Sequence, residues 1–479
     1  MAQFGKTGWA AATYVLLAAV QRGLSLLILP FVTHAMPPAE YGAASMLTAA
    51  ALFLSVIVAQ PLIQLIIRAA ARDDEDGPAL LRIAGTYCYV IVPAAAALVA
   101  AVFFFFVPQL LGVAGQIWGI EVFAVGFQPA ASVFALWVAQ AREDIRRFVW
   151  LSVSSIIMTA ASKLLLIVVF DMGVLGWVIS DLLSAVVAAL LAMVLVRVPR
   201  ASVRSHHVRY AFYFSLPLVP HSVSLWALMF LSRPVMATVS PLAEVGLLSF
   251  GLNLAQVAGL VLAETNRAAL PRFARETLPA PTRETFGPVR WQLVAAFVVP
   301  AVIGAAVAVV GHVIFAESYW ASFALTGILL IGQAAYGLYL IPMNYLTQTA
   351  GLPKYSALAS GAGAAAILVL ILILGRTHGP MGVAYATTIA YVAMAVVALI
   401  LTFAQKLEIA WTSWIKSSPE VALAAIALTF SVASLMLPVG STGPLVAAGS
   451  GVAFVLAAVV CTARRNPRSE PDRGRHRAS

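Results

Sequence analysis

The chain has 479 residues, 62% of them hydrophobic and only 10% charged, with a formal net charge of +10 and a mean hydropathy of +0.95. Soluble globular proteins carry about 25% charged residues, so this composition argues against a soluble enzyme or a free nucleic-acid-binding domain. It argues against a β-barrel as well, because barrels read as short alternating segments and this chain has long continuous apolar runs.

Fourteen apolar runs of bilayer-spanning length, roughly 20 residues or more, follow one another. They cover about 9–33, 42–70, 83–107, 116–140, 148–170, 173–196, 211–238, 244–268, 291–315, 320–347, 355–374, 380–404, 419–437 and 444–462. The first, WAAATYVLLAAVQRGLSLLILPFV, is too long for a signal-peptide core and carries Arg22 at its middle, so it reads as a retained helix. Proline inside several runs (Pro61, Pro129, Pro217, Pro342) is compatible with membrane helices. The fold class expected is an all-α polytopic membrane protein of about 14 transmembrane helices. Cys88 and Cys461 form no CxxC pair and no zinc spacing, so neither a disulfide framework nor a metal is expected.

Lysine and arginine set the orientation. With the N-terminus in the cytoplasm, the inner loops hold Arg72, Arg82, Arg142, Arg146, Arg147, Arg197, Arg200, Arg204, Arg209, Arg272, Arg275, Arg283, Arg290, Lys354, Lys406 and Lys416. The outer loops hold little beyond Arg376. Both termini are therefore expected in the cytoplasm, and the net charge reflects topology rather than a nucleic-acid partner. The basic tail ARRNPRSEPDRGRHRAS reads as a solvated end; membrane lipids are its nearest expected partner.

A short phrase occurs twice. At an offset of 204, PFVTHAMPPAEYGAAS (30–45) meets PVMATVSPLAEVGLLS (234–249). Pro30, Pro37, Ala39, Glu40, Gly42 and Ser45 match Pro234, Pro241, Ala243, Glu244, Gly246 and Ser249. GVLGW (173–177) echoes as GPMGV (379–383), and Gln140 with RRF echoes as Gln348 with PKY. Three echoes in order, at nearly one offset, argue for two homologous six-helix halves. Six is even, so the halves enter the membrane in the same direction, as a parallel repeat. The expected organisation is a six-helix lobe over 1–205, a second over 206–408, two additional helices over 409–463 and a cytoplasmic tail over 464–479.

These same residues carry a family resemblance. PPAEYGAASML after a first helix, QAREDIRRFVWLSV between helices 4 and 5, the run FSLPLVPHSVSLWALMFLSRPVMATVSPLAEVGLLSFGLNLAQVAGLV, and GQAAYGLYLIPMNYLTQTAGLPKY resemble bacterial polysaccharide flippases. These belong to the multidrug/oligosaccharidyl-lipid/polysaccharide exporter superfamily. The resemblance covers residues 9–405. It implies two six-helix lobes around a central cavity and a polyprenyl-diphosphate-linked oligosaccharide as substrate, moved from the inner to the outer leaflet of the cytoplasmic membrane by alternating access. Glycosyltransferases and a glycan polymerase are the implied partner machinery. One departure is Ser232 before Arg233, where many members carry an acid.

Intramembrane charges are the candidate site, because a lysine or arginine at mid-bilayer costs about 2.5–3.5 kcal/mol on insertion scales. Three stand out: Arg22, Lys163 and Arg233. Ser152, Ser155, Thr159 and Lys163 share one helical stripe, and Gln60, Gln64 and Arg68 recur at i, i+4, i+8. Asn344 and Gln348 do the same on helix 10. Such stripes suit either a polar cavity or helix–helix hydrogen bonding. A substrate diphosphate would neutralise Arg22 and Lys163; an ion pair with Asp181 or Glu121 is the structural alternative. Asp181 and His221 are candidates for binding a coupling ion or proton.

Two other functions are weighed. An ion-coupled multidrug exporter would share the lobes but favour acidic cavity residues. A polytopic glycan polymerase or ligase would need a large outer loop, and the expected outer loops are short. No nucleotide-binding glycine motif is present, so the chain is read as a transporter without cofactor rather than an enzyme or an ATP-driven pump.

Overall fold

The computed structural model describes Gly23 and residues 26–71, 75–278, 283–409, 411, 419–438 and 441–465. Most of the first expected span, including Arg22, lies outside these residues; its described end is helix α1 (Leu26–Ala35). Among the described residues, eleven helices are long and apolar enough to cross a membrane. One of them, the 51-residue Lys354–Ala404, breaks at Gly379 and supplies two passes.

Two spans are broken into separate helices by proline. The second is split into α2 (Pro38–Val58) and α3 (Leu62–Ala71). Pro61 cannot donate a backbone hydrogen bond, and Ala59–Pro61 form a turn. The seventh is three pieces: α8 (Ser205–Ser215), α9 (Val219–Phe230) and α10 (Ser232–Met236). Pro217 and Pro220 flank the first break. Pro234 lacks the N–H that would bond the Phe230 carbonyl, and the helix opens at Leu231.

The remaining helices run in order: α11 (Leu242–Arg275), α12 (Arg283–Ile314), α13 (Ser322–Asn344), α14 (Lys354–Leu370), α15 (Arg376–Ala404), α16 (Pro419–Met436) and α17 (Thr442–Arg465). Between α3 and α8 lie spans three to six, α4 (Gly77–Phe106), α5 (Gly115–Ala141), α6 (Ile145–Val169) and α7 (Gly173–Leu195). A two-residue antiparallel ribbon pairs Gln109–Leu110 with Val113–Ala114 between spans three and four.

The chain divides into two compact units, 1–249 with 371–380, and 250–370 with 381–479. The first takes in the seventh span and the opening turns of α11 besides the first six spans. One of its core clusters joins Leu65, Ile66, Cys88, Phe134, Val138 and Leu151. In a bilayer such packing stabilises by van der Waals contact, since lipid tails are as apolar as the side chains.

The repeated phrase meets itself within this first unit. Gly42 and Gly246 face each other across α2 and α11. A Cβ on Gly42 would fall 1.9 Å from the Leu242 carbonyl oxygen, and one on Gly246 would fall 1.8 Å from the Pro38 carbonyl oxygen. The contact is reciprocal, as at a two-fold axis. One turn on, Ser45 Oγ donates to Ser249 Oγ at 2.8 Å, both buried. The second echo obeys the same symmetry. Glu40 lies against Gly173 (φ +51°), and Glu244 lies against Gly379 (φ +54°), each glycine near the start of a helix where a carboxylate is favoured. Both copies of the phrase therefore lie on the same side of the bundle, as a parallel repeat requires.

The two additional helices belong to the second unit, where α16 packs on α12. Arg290 of α12 forms a buried ion pair with Glu420 of α16, the side chains 7% and 0% exposed. Glu420→Ala leaves a buried guanidinium without this partner and should lower stability by about 3–5 kcal/mol. Thermal unfolding of the purified protein in detergent measures it; an unchanged midpoint would show that the pair does not hold α16.

Candidate functional site

Lys163 ends the regular α-helix of the fifth span, just before a wider π-helical stretch at Leu164–Val169. The sixth span presents Trp177 and Asp181, four residues apart and thus on one face. Lys163 Nζ lies 3.1 Å from Asp181 Oδ1 and 3.5 Å from the centroid of the Trp177 ring. The lysine is held by an ion pair on one side and by an aromatic face on the other. The Trp177 indole N–H donates to Thr48 Oγ1 at 3.1 Å, and Tyr41 meets the indole edge-on at 6.1 Å. Both Thr48 and Tyr41 belong to α2, so the repeated-phrase helix positions the tryptophan.

Glu121 of the fourth span completes the cluster. It is 2% exposed, its Oε2 has no hydrogen-bond partner, and it interacts electrostatically with Asp181 and Lys163. A buried carboxyl beside an ion pair is suited to exchanging a proton or a counter-ion. Of the sequence stripe, Ser152 is buried while Ser155, Thr159 and Lys163 are half-buried.

The other candidates are dispersed. Arg233 is 3% exposed; its Nη1 donates to the Met229 carbonyl at 3.2 Å, and its guanidinium lies 5.2 Å from the Phe230 ring centroid. Gln60, Gln64 and Arg68 are exposed. They do not form one continuous helical stripe, because Gln60 sits in the Pro61 break. Arg68 lies 5.9 Å from the Phe214 ring centroid. Arg22 and the side chain of His221 lie outside what the structure describes.

The second unit holds a separate polar network. Gln292 Nε2 and Asn344 Nδ2 both donate to Asn266 Oδ1, at 2.8 and 2.7 Å, tying α12 and α13 to α11. Asn344 thus serves as helix–helix glue. Glu276 accepts the Thr285 backbone N–H at 3.0 Å as well as its hydroxyl, and the Tyr345 hydroxyl donates to Thr285 Oγ1 at 2.8 Å. Asn266 and Gln292 carry no periodic sequence signal and are found only by the fold.

A third cluster lies at the start of span three. Asp76, His206 and His207 bring their ligand atoms within 4.8 Å of one another. His207 Nδ1 accepts the Arg204 backbone N–H at 3.0 Å, so in the neutral ring the proton is on Nε2, which donates to Asp76 at 2.9 Å. A metal at Nε2 would displace that proton while Nδ1 stayed occupied. The arrangement fits a hydrogen-bonded brace better than a metal centre, and it holds the exposed Asp76 carboxyl below its ordinary pKa.

The profile of a family described as "Polysaccharide biosynthesis protein" matches residues 9–276, more than half of the chain. No curated protein sequence matches it. Among solved structures, the chain is similar to the lipid II flippase MurJ in an inward-closed conformation, at TM-score 0.70 and 12% identity, covering 94% of this chain and 98% of the other. It is also similar to an inward-facing multidrug resistance MATE family transporter of the MOP superfamily, at TM-score 0.61 and 13% identity, covering 84% and 99%. These likenesses establish a common polytopic fold. With the profile match over its first half and more, this multi-pass membrane chain belongs to the polysaccharide biosynthesis protein family.

Proposed function

We propose that the chain is a flippase that carries a polyprenyl-diphosphate-linked oligosaccharide from the inner to the outer leaflet of the bacterial cytoplasmic membrane by alternating access. Glycosyltransferases would load the lipid on the inner side, and a polymerase would consume the glycan outside. The observation that carries this reading over multidrug export is the extent of the structural likeness. The flippase fold takes in 94% of the chain at TM-score 0.70, against 84% at 0.61 for the multidrug transporter. The family description, polysaccharide biosynthesis, supports a glycan-bearing substrate.

In this reading Lys163 changes partner, from Asp181 to the substrate diphosphate, with Arg22 as a second cation. Asp181 and Glu121 then take up an ion or proton in place of the positive charge that Lys163 has withdrawn. The test is reconstitution into liposomes with a fluorescent polyprenyl-diphosphate oligosaccharide. Expected is translocation of the lipid and none of an organic-cation drug; movement of the drug alone would favour the multidrug reading. Orientation has its own test. A reporter fused after residue 479 should be active only on the cytoplasmic side, and periplasmic activity would overturn the span count or the charge rule.

A further inference from the structure

The amide network of the second unit has one unfilled position. Gln292 is 6% exposed, its Nε2 is committed to Asn266, and its Oε1 has no hydrogen-bond partner. It lines a cavity of about 10 Å³ with Thr265 and Asn266 of α11, Ala295 of α12, and Gly337 and Leu340 of α13. That volume admits one water-sized group and nothing larger. A buried amide oxygen left without a partner costs about 1–3 kcal/mol, so its occupant should be a hydrogen donor. Thr265 already spends its proton on the Val261 carbonyl at 2.8 Å, and so presents a second acceptor. No carboxylate lines the cavity, which disfavours a bare cation in a low-dielectric site. Thr265 and Asn266 are half-buried, so the cavity is approachable from their side.

We propose that Gln292, Thr265 and Asn266 form a niche for a single hydroxyl group of the transported glycan. Neutral amides with an unpaired acceptor are the chemistry that recognises a sugar hydroxyl: the group donates to Gln292 Oε1, and only its OH enters. This rests on the flippase reading. Water is the other source of the same chemistry, and the test separates the two.

Binding is measured on the purified full chain in nanodiscs with two probes, polyprenyl diphosphate bearing a short N-acetylhexosamine oligosaccharide and the same lipid without sugar. Gln292→Leu should weaken the glycosylated probe by about tenfold and leave the bare lipid unchanged, as expected for one lost hydrogen bond to a buried acceptor. Gln292→Met, close to glutamine in volume but without the amide, should weaken the glycosylated probe to a similar extent and leave the bare lipid unchanged; it serves if Gln292→Leu folds poorly. Equal loss on both probes, or no loss on either, would mean that the niche holds water only, and the proposal fails. If Gln292→Leu and wild type bind the bare lipid alike but do not differ on the glycosylated one, the flippase reading stands without the niche. If the wild type binds neither lipid, both readings fall.

Discussion

The Ser45→Cys/Ser249→Cys double variant should lose nearly all transport when oxidised with copper phenanthroline and regain it on reduction. The two hydroxyls lie 2.8 Å apart, close enough for a sulfur–sulfur bond of about 2.05 Å after small side-chain rotations. The seam around them is closed by backbone-to-backbone approach at Gly42 and Gly246, with no side chain between. On the proposed alternating-access reading a closed seam must part once per cycle, and the charge bias leads us to expect this one on the outer side. A covalent link there removes the parting step while leaving the closed state intact. Background cysteines are few: Cys88 and Cys461 are replaced by alanine first. Full transport by the oxidised variant, with the cross-link verified by mass spectrometry, would show that α2 and α11 stay together throughout. The reverse change tests the same seam from the other side. Gly42→Leu puts atoms where the Leu242 carbonyl already is, so the seam should not close, and a cysteine at position 45 should become alkylated faster than in wild type.

Much of this was legible in the sequence because it rests on periodicity. The apolar runs gave the helices, and the offset of 204 gave a repeat whose two copies do meet, Ser45 on Ser249 and Gly42 beside Gly246. The glutamates were legible as helix-start residues, but not their contacts with Gly173 and Gly379, which join residues more than 130 positions apart. Proline was legible as a tolerated residue, and the structure shows where tolerance ends. Pro61 takes Gln60 out of register with Gln64 and Arg68, and three prolines split the seventh span. The site was half visible. Lys163 and Asp181 both read as charges inside spans, and either a bare cavity cation or an ion pair fits their spacing. Pairing depends on how two helices rotate about their axes, which a single sequence does not state. Glu121 was legible as a candidate partner acid, but not its burial beside the pair. The buried pair Arg290–Glu420 was missed because Arg290 reads as an inner-loop charge until α16 covers it.

Lys163→Met should cut export at least tenfold, and the decisive result is what Lys163→Met/Asp181→Leu does. Lys163 and Asp181 are 12% and 16% exposed and 3.1 Å apart, so the pair is largely shielded from water. Removing only the lysine leaves Asp181 and Glu121 facing each other without a cation. The expected cost is about 3 kcal/mol, the low end for breaking a buried pair. Removing both partners with apolar residues of similar bulk should recover most of that loss, because an ion pair and a well-packed apolar pair are often equally stable. Stability and transport are thereby separated. If Lys163 only locks the fifth span to the sixth, the double variant should be both stable and active. If Lys163 takes the diphosphate during the cycle, the double variant should be stable and still impaired. The deficit should then be roughly 10–150-fold, the size of one hydrogen bond to a charged group. Asp181→Asn sharpens the distinction. It keeps shape and frees the lysine charge, so it should bind the diphosphate lipid at least as tightly as wild type. Turnover should nevertheless be slow, because Lys163 would have no partner to return to after release. A double variant that exports at the wild-type rate would assign Lys163 to the fold alone and leave the diphosphate to be bound elsewhere.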